Sequence, residues 1–137
     1  AGIDAIVMGR RTFEKVMTFD KWCYGTKRVV VLSKQSLDLT VAKAHGGVVE
    51  LMSGPPADIV SRLGASGACH LYVDGGVTIQ QFLRAGLIHR LIISRLPVLI
   101  GEGIPLFSSL PRDIHLRHIA TRTYPGGMVQ SEYHVVT

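Results

Sequence analysis

Three apolar stretches of the sequence each end in residues that can bind phosphate through side chains or backbone. The residues at these ends are Gly9, Arg10, Arg11 and Thr12, then Leu32, Ser33 and Lys34, and then Asp74, Gly75, Gly76, Val77 and Thr78. Arginine binds phosphate oxygens through paired hydrogen bonds, and lysine adds a point charge. Each group alone is also typical of a solvated helix face or an ordinary polar turn. Together the three groups predict a site for an elongated ligand with several phosphates.

The adjacent glycines Gly75 and Gly76 separate a strand-like stretch (HLYVD) from a helical one (VTIQQFLRAG). One interpretation is a tight turn, because glycine adopts positive φ without steric cost. The other is a phosphate site, because the first turn of a helix presents unpaired N–H groups and a partial positive charge. A lone Gly-Gly pair favours the turn, and only the other two groups favour phosphate.

Apolar runs alternate with helical patterns along most of the chain. Strands are predicted at residues 4–9, 27–34, 47–52, 69–74 and 89–101, helices at 10–19, 55–64 and 78–85, and hairpin strands at 114–124 and 128–137 around a turn at 125–127. This order predicts an α/β fold with a mostly parallel sheet and antiparallel edge strands. Ligands of such sheets bind at the carboxyl ends of the strands, which is where the three groups lie.

The composition indicates one globular domain spanning residues 1–137, with 47% hydrophobic and 18% charged residues. No apolar run approaches the roughly 20 residues that span a bilayer, and no signal-peptide pattern is present. The two cysteines, Cys23 and Cys69, form no disulfide framework, which favours a reduced, cytoplasmic protein. The net charge of +5 favours anionic partners. Nucleic acid is a weaker alternative, because the basic residues are scattered and no reader motif is present.

The histidines and cysteines of the sequence do not predict a metal site or a catalytic nucleophile. The six histidines show no metal-ligand spacing, so no metal site is predicted. Cys23 lies in a polar-aromatic loop without a base beside it in the sequence, which favours a packed or solvent-facing thiol over a nucleophile. Trp22 and Tyr24 flank it and either line a cleft or pack the loop.

Four stretches carry a family resemblance: DAIVMGRRTFE, VVVLSK, YVDGGVTIQQFL and RLPVLIGEGIPLF. They resemble the dihydrofolate reductase superfamily, and in particular the reductase domain of bacterial riboflavin biosynthesis, the RibD C-terminal domain. The resemblance implies a three-layer α/β/α fold with a mostly parallel mixed sheet and a C-terminal antiparallel hairpin. It also implies an NADPH-dependent reductase that transfers hydride to a small heterocyclic substrate, pyrimidine or pterin-like. Association into a homodimer is expected as well.

The resemblance also implies roles for individual residues. Gly9, Arg10, Arg11 and Thr12 would hold NADPH phosphates, with Arg10 on the 2′-phosphate and Thr12 on the pyrophosphate. Leu32, Ser33 and Lys34 would bracket the adenosine end. Gly75 and Gly76, after the variable position Asp74, would let the pyrophosphate approach the backbone, with a cis Gly-Gly peptide as one option, and Val77 and Thr78 would lie on the pyrophosphate.

One departure from the family pattern affects the catalytic assignment. Family members ordinarily begin with another strand and an Asp-Gly loop before DAIVMGRRT, and this stretch lies near the start of the chain. The acid expected in that segment has no match, so no catalytic residue is assigned and an exposed sheet edge is expected. A dinucleotide-binding module without catalytic activity therefore stays open as an alternative.

Overall fold

The computed structural model describes residues 2–136, which form seven strands and four helices. The strands are β1 (Ala5–Gly9), β2 (Arg28–Leu32), β3 (Val48–Met52), β4 (Leu71–Asp74), β5 (Arg90–Arg95), β6 (Leu116–Thr123) and β7 (Val129–Val135). The helices are α1 (Arg10–Val16), α2 (Thr40–Ala44), α3 (Pro56–Ala65) and α4 (Gly76–Arg84). The chain divides into two compact units, the first ending at Ala85 and the second beginning at Gly86.

The first unit is built on a four-stranded parallel sheet with the order β3-β2-β1-β4. Its central strands are continuous apolar runs, as expected where helices cover both faces. Val29, Val30 and Val31 of β2 are fully buried, although their side chains alternate between the two faces. On one face, Phe13 of α1 and Ala42 of α2 join the buried cluster of the sheet.

The order of the strands creates a switch point between β1 and β4. The chain runs from β1 outwards to β2 and β3, and then crosses to β4 on the opposite side of β1. Because parallel crossovers are right-handed, α3 covers the face opposite α1 and α2. Ile59 and Leu63 of α3 are fully buried and lie outside the cluster that contains Phe13. Ligands bind at such switch points in open α/β sheets.

The second unit is an antiparallel sheet with the order β5-β7-β6. The predicted hairpin is confirmed: β6 and β7 pair across a turn in which Gly126 and Gly127 both have φ of +93°. A register shift interrupts β6 between His118 and Ala120. The α/β class, the parallel strands and the C-terminal hairpin are therefore confirmed, and the antiparallel strands form a sheet of their own.

The largest differences from the prediction concern three elements. The strand predicted at 89–101 ends at Arg95, because Pro97 has no N–H to continue the ladder. The helix predicted at 10–19 ends at Val16. Helix α2 was not predicted, since five residues are too few to show a helical period. None of the helices in residues 2–136 is long and apolar enough to cross a membrane.

Candidate functional site

Two helices begin side by side at the switch point. Met8 pairs with Asp74 in the β1–β4 ladder, so both strands end at the same edge of the sheet. Helix α1 begins at Arg10 and helix α4 at Gly76, each within two residues of the end of its strand. Gly9 also pairs with Leu32 at the end of β2. The structure thus brings all three predicted groups to one edge of the parallel sheet.

The two helix starts are in reciprocal contact through glycines. A Cβ atom placed on Gly9 would lie 2.7 Å from Oγ1 of Thr78, which is buried in the first turn of α4. A Cβ atom placed on Gly75 would collide with Oγ1 of Thr12, in the first turn of α1. A glycine therefore precedes each helix, Gly9 before α1 and Gly75 before α4, because the other helix lies against it. Thr12 and Thr78, which were predicted to contact phosphate, have this packing role.

Gly75 and Gly76 have different roles in the turn. Gly75 is the N-cap of α4 with φ of +92° and ψ of 130°, a conformation that only glycine adopts readily. Gly76 is the first helical residue, and a Cβ atom there would meet open space. The cis Gly-Gly option is wrong, because every peptide bond between residues 2 and 136 is trans.

The start of α4 has the unpaired donors that an anion needs. No side chain caps this helix, and its first backbone hydrogen bond runs from Ile79 N to Gly75 O. The N–H groups of Gly76, Val77 and Thr78 therefore have no acceptor in the described part of the chain. The space over Gly76 lets a phosphate approach them. This cradle fits the pyrophosphate of a dinucleotide.

The cationic residues at this edge fall into two kinds. Arg10 is held internally: its Nε donates to Glu14 Oε1 at 3.0 Å, and its Nη1 donates to Gln35 Oε1. The side chains of Arg11 and Lys34 are exposed and have no hydrogen bond or ion pair with another residue in 2–136. Arg11 and Lys34 are thus free of internal contacts within these residues, and Arg10 is held by two acceptors of the protein itself.

Ser33 is at the edge, but its hydroxyl proton is used inside its own turn. Ser33 Oγ donates to Gln35 O at 2.8 Å and accepts from Gln35 N at 3.1 Å. A serine hydroxyl has one proton to donate, so a phosphate would have to displace the Gln35 carbonyl. The structure therefore supports Ser33 as a turn-forming residue and leaves its predicted ligand contact a prediction.

A contact between Tyr24 and Asp74 was not predicted. Tyr24 lies in the loop after α1, and its hydroxyl donates to Asp74 Oδ2 at 3.4 Å. Burial and the Asp74 charge raise the pKa of the Tyr24 phenol above its usual value of 10. Trp22 stacks edge-on against Tyr24 at 5.3 Å between ring centroids, and both rings pack against the buried cluster. Fifty residues separate Tyr24 from Asp74, and no sequence spacing signals the pair.

No metal site is evident at this edge or elsewhere in the described residues, where no group of three or more His, Cys, Asp and Glu side chains is placed to hold an ion. The exposed cysteines Cys23 and Cys69 are both unpaired thiols. The chemistry that the edge can perform is therefore binding and orientation of an anion by backbone N–H groups and guanidinium or ammonium charges.

Curated proteins with similar sequences come from Bacillus subtilis strain 168. The uncharacterized protein YyaP is 36% identical over 76 residues, which is 55% of this chain and 40% of that protein. The uncharacterized protein YwjB is 30% identical over 139 residues, which is 96% of this chain and 73% of that protein. Parts of both relatives, and most of YyaP, therefore lie outside the matched region.

Solved structures with the same fold include a putative riboflavin biosynthesis protein, a pyrimidine reductase-like protein and a RibD protein. The putative riboflavin biosynthesis protein of Shewanella sp. PV-4 has a TM-score of 0.90 and 36% identity, covering 98% of this chain and 75% of that one. A pyrimidine reductase-like protein of Corynebacterium diphtheriae has a TM-score of 0.76 and 18% identity, covering 98% and 77%. Acinetobacter baumannii RibD has a TM-score of 0.76 and 14% identity, covering 98% and 47%. The two more distant similarities show the fold alone.

The family follows from the sequence match as well as from the fold. Residues 1–130 match the family model of the RibD C-terminal domain. The structural neighbours have the dihydrofolate reductase-like fold that the four resembling stretches imply. The chain belongs to the RibD C-terminal domain family.

Proposed function

We propose that this protein is an NADPH-dependent reductase that transfers hydride to a small heterocyclic substrate, pyrimidine or pterin-like. The observation that carries the proposal is the pair of helix starts at the switch point, where α4 presents three unpaired N–H groups beneath open space. Membership of the RibD C-terminal domain family supports a reductase-type role. The similarity to a riboflavin biosynthesis protein over 98% of the chain supports the same class of reaction.

Backbone N–H groups and cationic side chains would bind different phosphates of the cofactor. Gly76, Val77 and Thr78 would hold the pyrophosphate on the start of α4. Arg10, with Arg11 and Lys34 beside it, would hold the 2′-phosphate, because a guanidinium matches the geometry of a phosphate dianion. Selectivity for NADPH over NADH then depends on charges at the ends of β1 and β2.

When bound, NADPH supplies the hydride, and the substrate takes up one proton from solvent or a protein acid to complete a two-electron reduction. The residues of this chain bind and orient the cofactor. No catalytic acid is assigned among them. Asp74 is the carboxylate at the switch point, and it accepts a hydrogen bond from Tyr24.

A calorimetric titration of the folded chain with NADPH, and with NADH alongside, tests this proposal. We expect NADPH to bind more tightly, since the 2′-phosphate adds a charged contact worth about 1.5–3 kcal/mol when well formed. No binding of either dinucleotide by a folded sample would contradict the proposal. Equal binding of both would contradict the assignment of the three cations to the 2′-phosphate.

The alternative function is a dinucleotide-binding module without turnover. It is favoured by one observation: the groups at the switch-point edge bind and orient an anion, and no catalytic acid is assigned among the described residues. The reductase should oxidise NADPH in the presence of reducible pyrimidine or pterin-like compounds, and the binding module should not. The absorbance of NADPH measures its oxidation. Tight NADPH binding with no oxidation over this substrate set would favour the binding module.

We also propose that the protein acts in the cytoplasm as a homodimer. The second unit exposes a long apolar segment, residues 96–107, in which Leu99 is 99% and Ile104 is 97% exposed. Exposed patches of this kind usually mark contact surfaces, and two-fold dimers are the commonest assemblies. Sedimentation equilibrium tests the association. A dimer mass supports it, and a monomer mass at about 100 times the protein concentration of the assay contradicts it.

A further inference from the structure

The Arg10 side chain lies between two acceptors that belong to the protein itself. Its Nε is 3.0 Å from Glu14 Oε1, one helical turn further along α1. Its Nη1 donates to Gln35 Oε1, in the turn that follows β2. Arg10 therefore links the start of α1 to the end of β2 across the edge that the phosphate groups of a dinucleotide would occupy.

These two contacts use one donor from each edge of the guanidinium. An arginine binds phosphate in the paired mode through Nε with Nη2 or through Nη1 with Nη2. Glu14 occupies the first edge of Arg10 and Gln35 occupies the second. A phosphate that takes the Nε and Nη2 pair must displace Glu14, and one that takes the Nη1 and Nη2 pair binds the nitrogen that Gln35 already engages.

Glu14 and Gln35 do not present equal obstacles to a phosphate. The Glu14 carboxylate is negatively charged, so it repels the ligand as well as competing for Arg10. The pair is solvent-exposed, with Arg10 43% and Glu14 54% exposed, so it is weak enough for a ligand to break. Gln35 is neutral, and the Ser33 hydroxyl holds its backbone in a turn: Ser33 Oγ is 2.8 Å from Gln35 O and 3.1 Å from Gln35 N.

We propose that Glu14 is a selectivity-determining residue, which holds Arg10 in the ligand-free protein and competes with a 2′-phosphate for it. This inference rests on the proposed function, since it assumes that the edge takes a phosphorylated dinucleotide. It adds an internal competitor: the affinity for NADPH is set by the difference between the Arg10–phosphate and Arg10–Glu14 contacts. The affinity for NADH, which lacks the 2′-phosphate, depends little on Glu14.

The test measures the dissociation constants of NADPH and NADH by calorimetry at low ionic strength for wild type and variants. Glu14→Gln removes the charge and weakens the hold on Arg10, so NADPH should bind about 3- to 10-fold tighter, as expected for losing one competing charged contact. NADH should change by less than about 2-fold, the size of a screened surface effect. Glu14 lies at an exposed helix position, and circular dichroism checks that each variant retains the fold.

Two matched variants separate displacement from simple repulsion. Glu14→Asp keeps the charge, but its side chain is one methylene shorter and cannot hold Arg10 in the same way, so it should bind NADPH more tightly than wild type. The double variant Arg10→Ala/Glu14→Gln should bind NADPH no more tightly than Arg10→Ala alone, because the competitor has nothing left to compete for.

Each outcome counts for or against the inference. A gain for Glu14→Gln that disappears in the Arg10→Ala background supports it. A gain that persists in that background, or is the same for NADPH and NADH, overturns it. If wild type prefers NADPH and Glu14→Gln leaves both affinities unchanged, the inference alone fails. If wild type binds neither dinucleotide, the proposed function fails and the inference falls with it.

Discussion

Gly9 and Thr78 lie so close together that a Cβ atom on Gly9 would stand 2.7 Å from the threonine hydroxyl oxygen. The contact joins the end of β1 to the first turn of α4, and its counterpart joins the end of β4, at Gly75, to Thr12 of α1. The two helices can begin side by side only because a glycine directly precedes each of them. This packing sets the position of the start of α4 relative to α1, on which the proposed phosphate site depends.

Replacing the two adjacent glycines by alanine should have opposite effects on stability. Gly75→Ala should destabilise the fold by about 1–3 kcal/mol from the strain of positive φ alone. The new methyl group would also collide with Thr12, which adds to this loss. Gly76→Ala should be neutral or stabilising by up to about 1 kcal/mol, since it lies in the helix with open space around it. Urea unfolding of the two variants measures both effects, and equal destabilisation would contradict the distinct roles of these glycines.

A bulkier residue at Gly76 should block the ligand without harming the fold. Gly76→Val places its side chain over the unpaired N–H groups of α4, so the affinity for NADPH and NADH should fall together, by about tenfold or more for a lost charged hydrogen bond. Gly64→Val is the matched control, because Gly64 also lies in a helix with open space around it, in α3. Unchanged binding by Gly76→Val would mean that Gly75 and Gly76 form only a turn.

Loss of the Arg10 guanidinium should affect the two dinucleotides unequally. Arg10→Ala should weaken NADPH binding more than NADH binding by about 1–3 kcal/mol, the range for a hydrogen bond to a charged group. The difference should shrink as salt is added, because the contact is exposed. Calorimetry at two salt concentrations measures it. An equal loss for both dinucleotides would remove Arg10 from the 2′-phosphate.

The Asp4 carboxylate should make the stability of the first unit depend on pH in acid. The backbone N–H groups of His70 and Cys69 each donate to Asp4 Oδ2 at 2.9 Å and lower the pKa of Asp4 below 3.8. A lowered folded pKa stabilises the protein above the unfolded value, and this stabilisation is lost as the pH falls through the folded pKa.

Asp4→Asn keeps an acceptor for the two N–H groups but removes the charge. Its melting temperature should therefore fall less than that of wild type as the pH is lowered through the usual aspartate value of about 3.9 and below. The nearby His70, whose Nδ1 is 3.7 Å from Asp4 Oδ2, and Lys27 are present in both proteins, so the comparison isolates the Asp4 carboxylate. Parallel acid profiles for Asp4→Asn and wild type would contradict the assignment.

Two tyrosines should report the charge of Asp74. The pKa values of Tyr24 and Tyr72 are both raised above 10. Burial is the larger cause for each phenol, and the charge of Asp74 is the next. Asp74→Asn should therefore lower both phenol pKa values, while burial keeps them above the exposed value. Absorbance titration of phenolate formation measures the change, with Tyr24→Phe identifying one of the two transitions. No shift in Asp74→Asn would place the carboxylate away from both rings.

The raised pKa of Tyr24 makes the folding stability fall as the pH rises, whereas the lowered pKa of Asp4 makes it fall as the pH decreases. Because the folded pKa of Tyr24 is raised, the unfolded chain ionises first as the pH rises above about 10, and folded wild type loses stability from that point upwards. Tyr24→Phe cannot ionise at this position, so its stability should fall less steeply over the same alkaline range.

The sequence was sufficient to predict the parallel strands and the residues at their ends, because each strand is a continuous apolar run followed by polar or glycine residues. The contact partners of those residues were not predictable. Whether Gly75 or Gly76 carries positive φ, and whether the Ser33 hydroxyl turns inwards to Gln35, depend on backbone conformation that neighbouring elements impose.

Long-range pairs were the least predictable part of the site. Tyr24 reaches Asp74 because Trp22 and Tyr24 pack their loop against the buried cluster, and no periodicity in the sequence records that packing. The end of β5 at Arg95 was overestimated, since the apolar run continues beyond it while Pro97 ends the ladder. Apolar pattern alone does not separate a strand from an exposed apolar segment such as residues 96–107.

The central claim is that the phosphates of a dinucleotide rest on the start of α4 at the switch point. The most direct measurement is the change in backbone amide NMR shifts when NADP⁺ is added to the ¹⁵N-labelled chain. The account predicts the largest and saturable changes at the N–H groups of Gly76, Val77 and Thr78, with accompanying changes at Arg10 and Arg11. Saturable binding that leaves these amides unmoved, with the largest changes in the second unit, would contradict it.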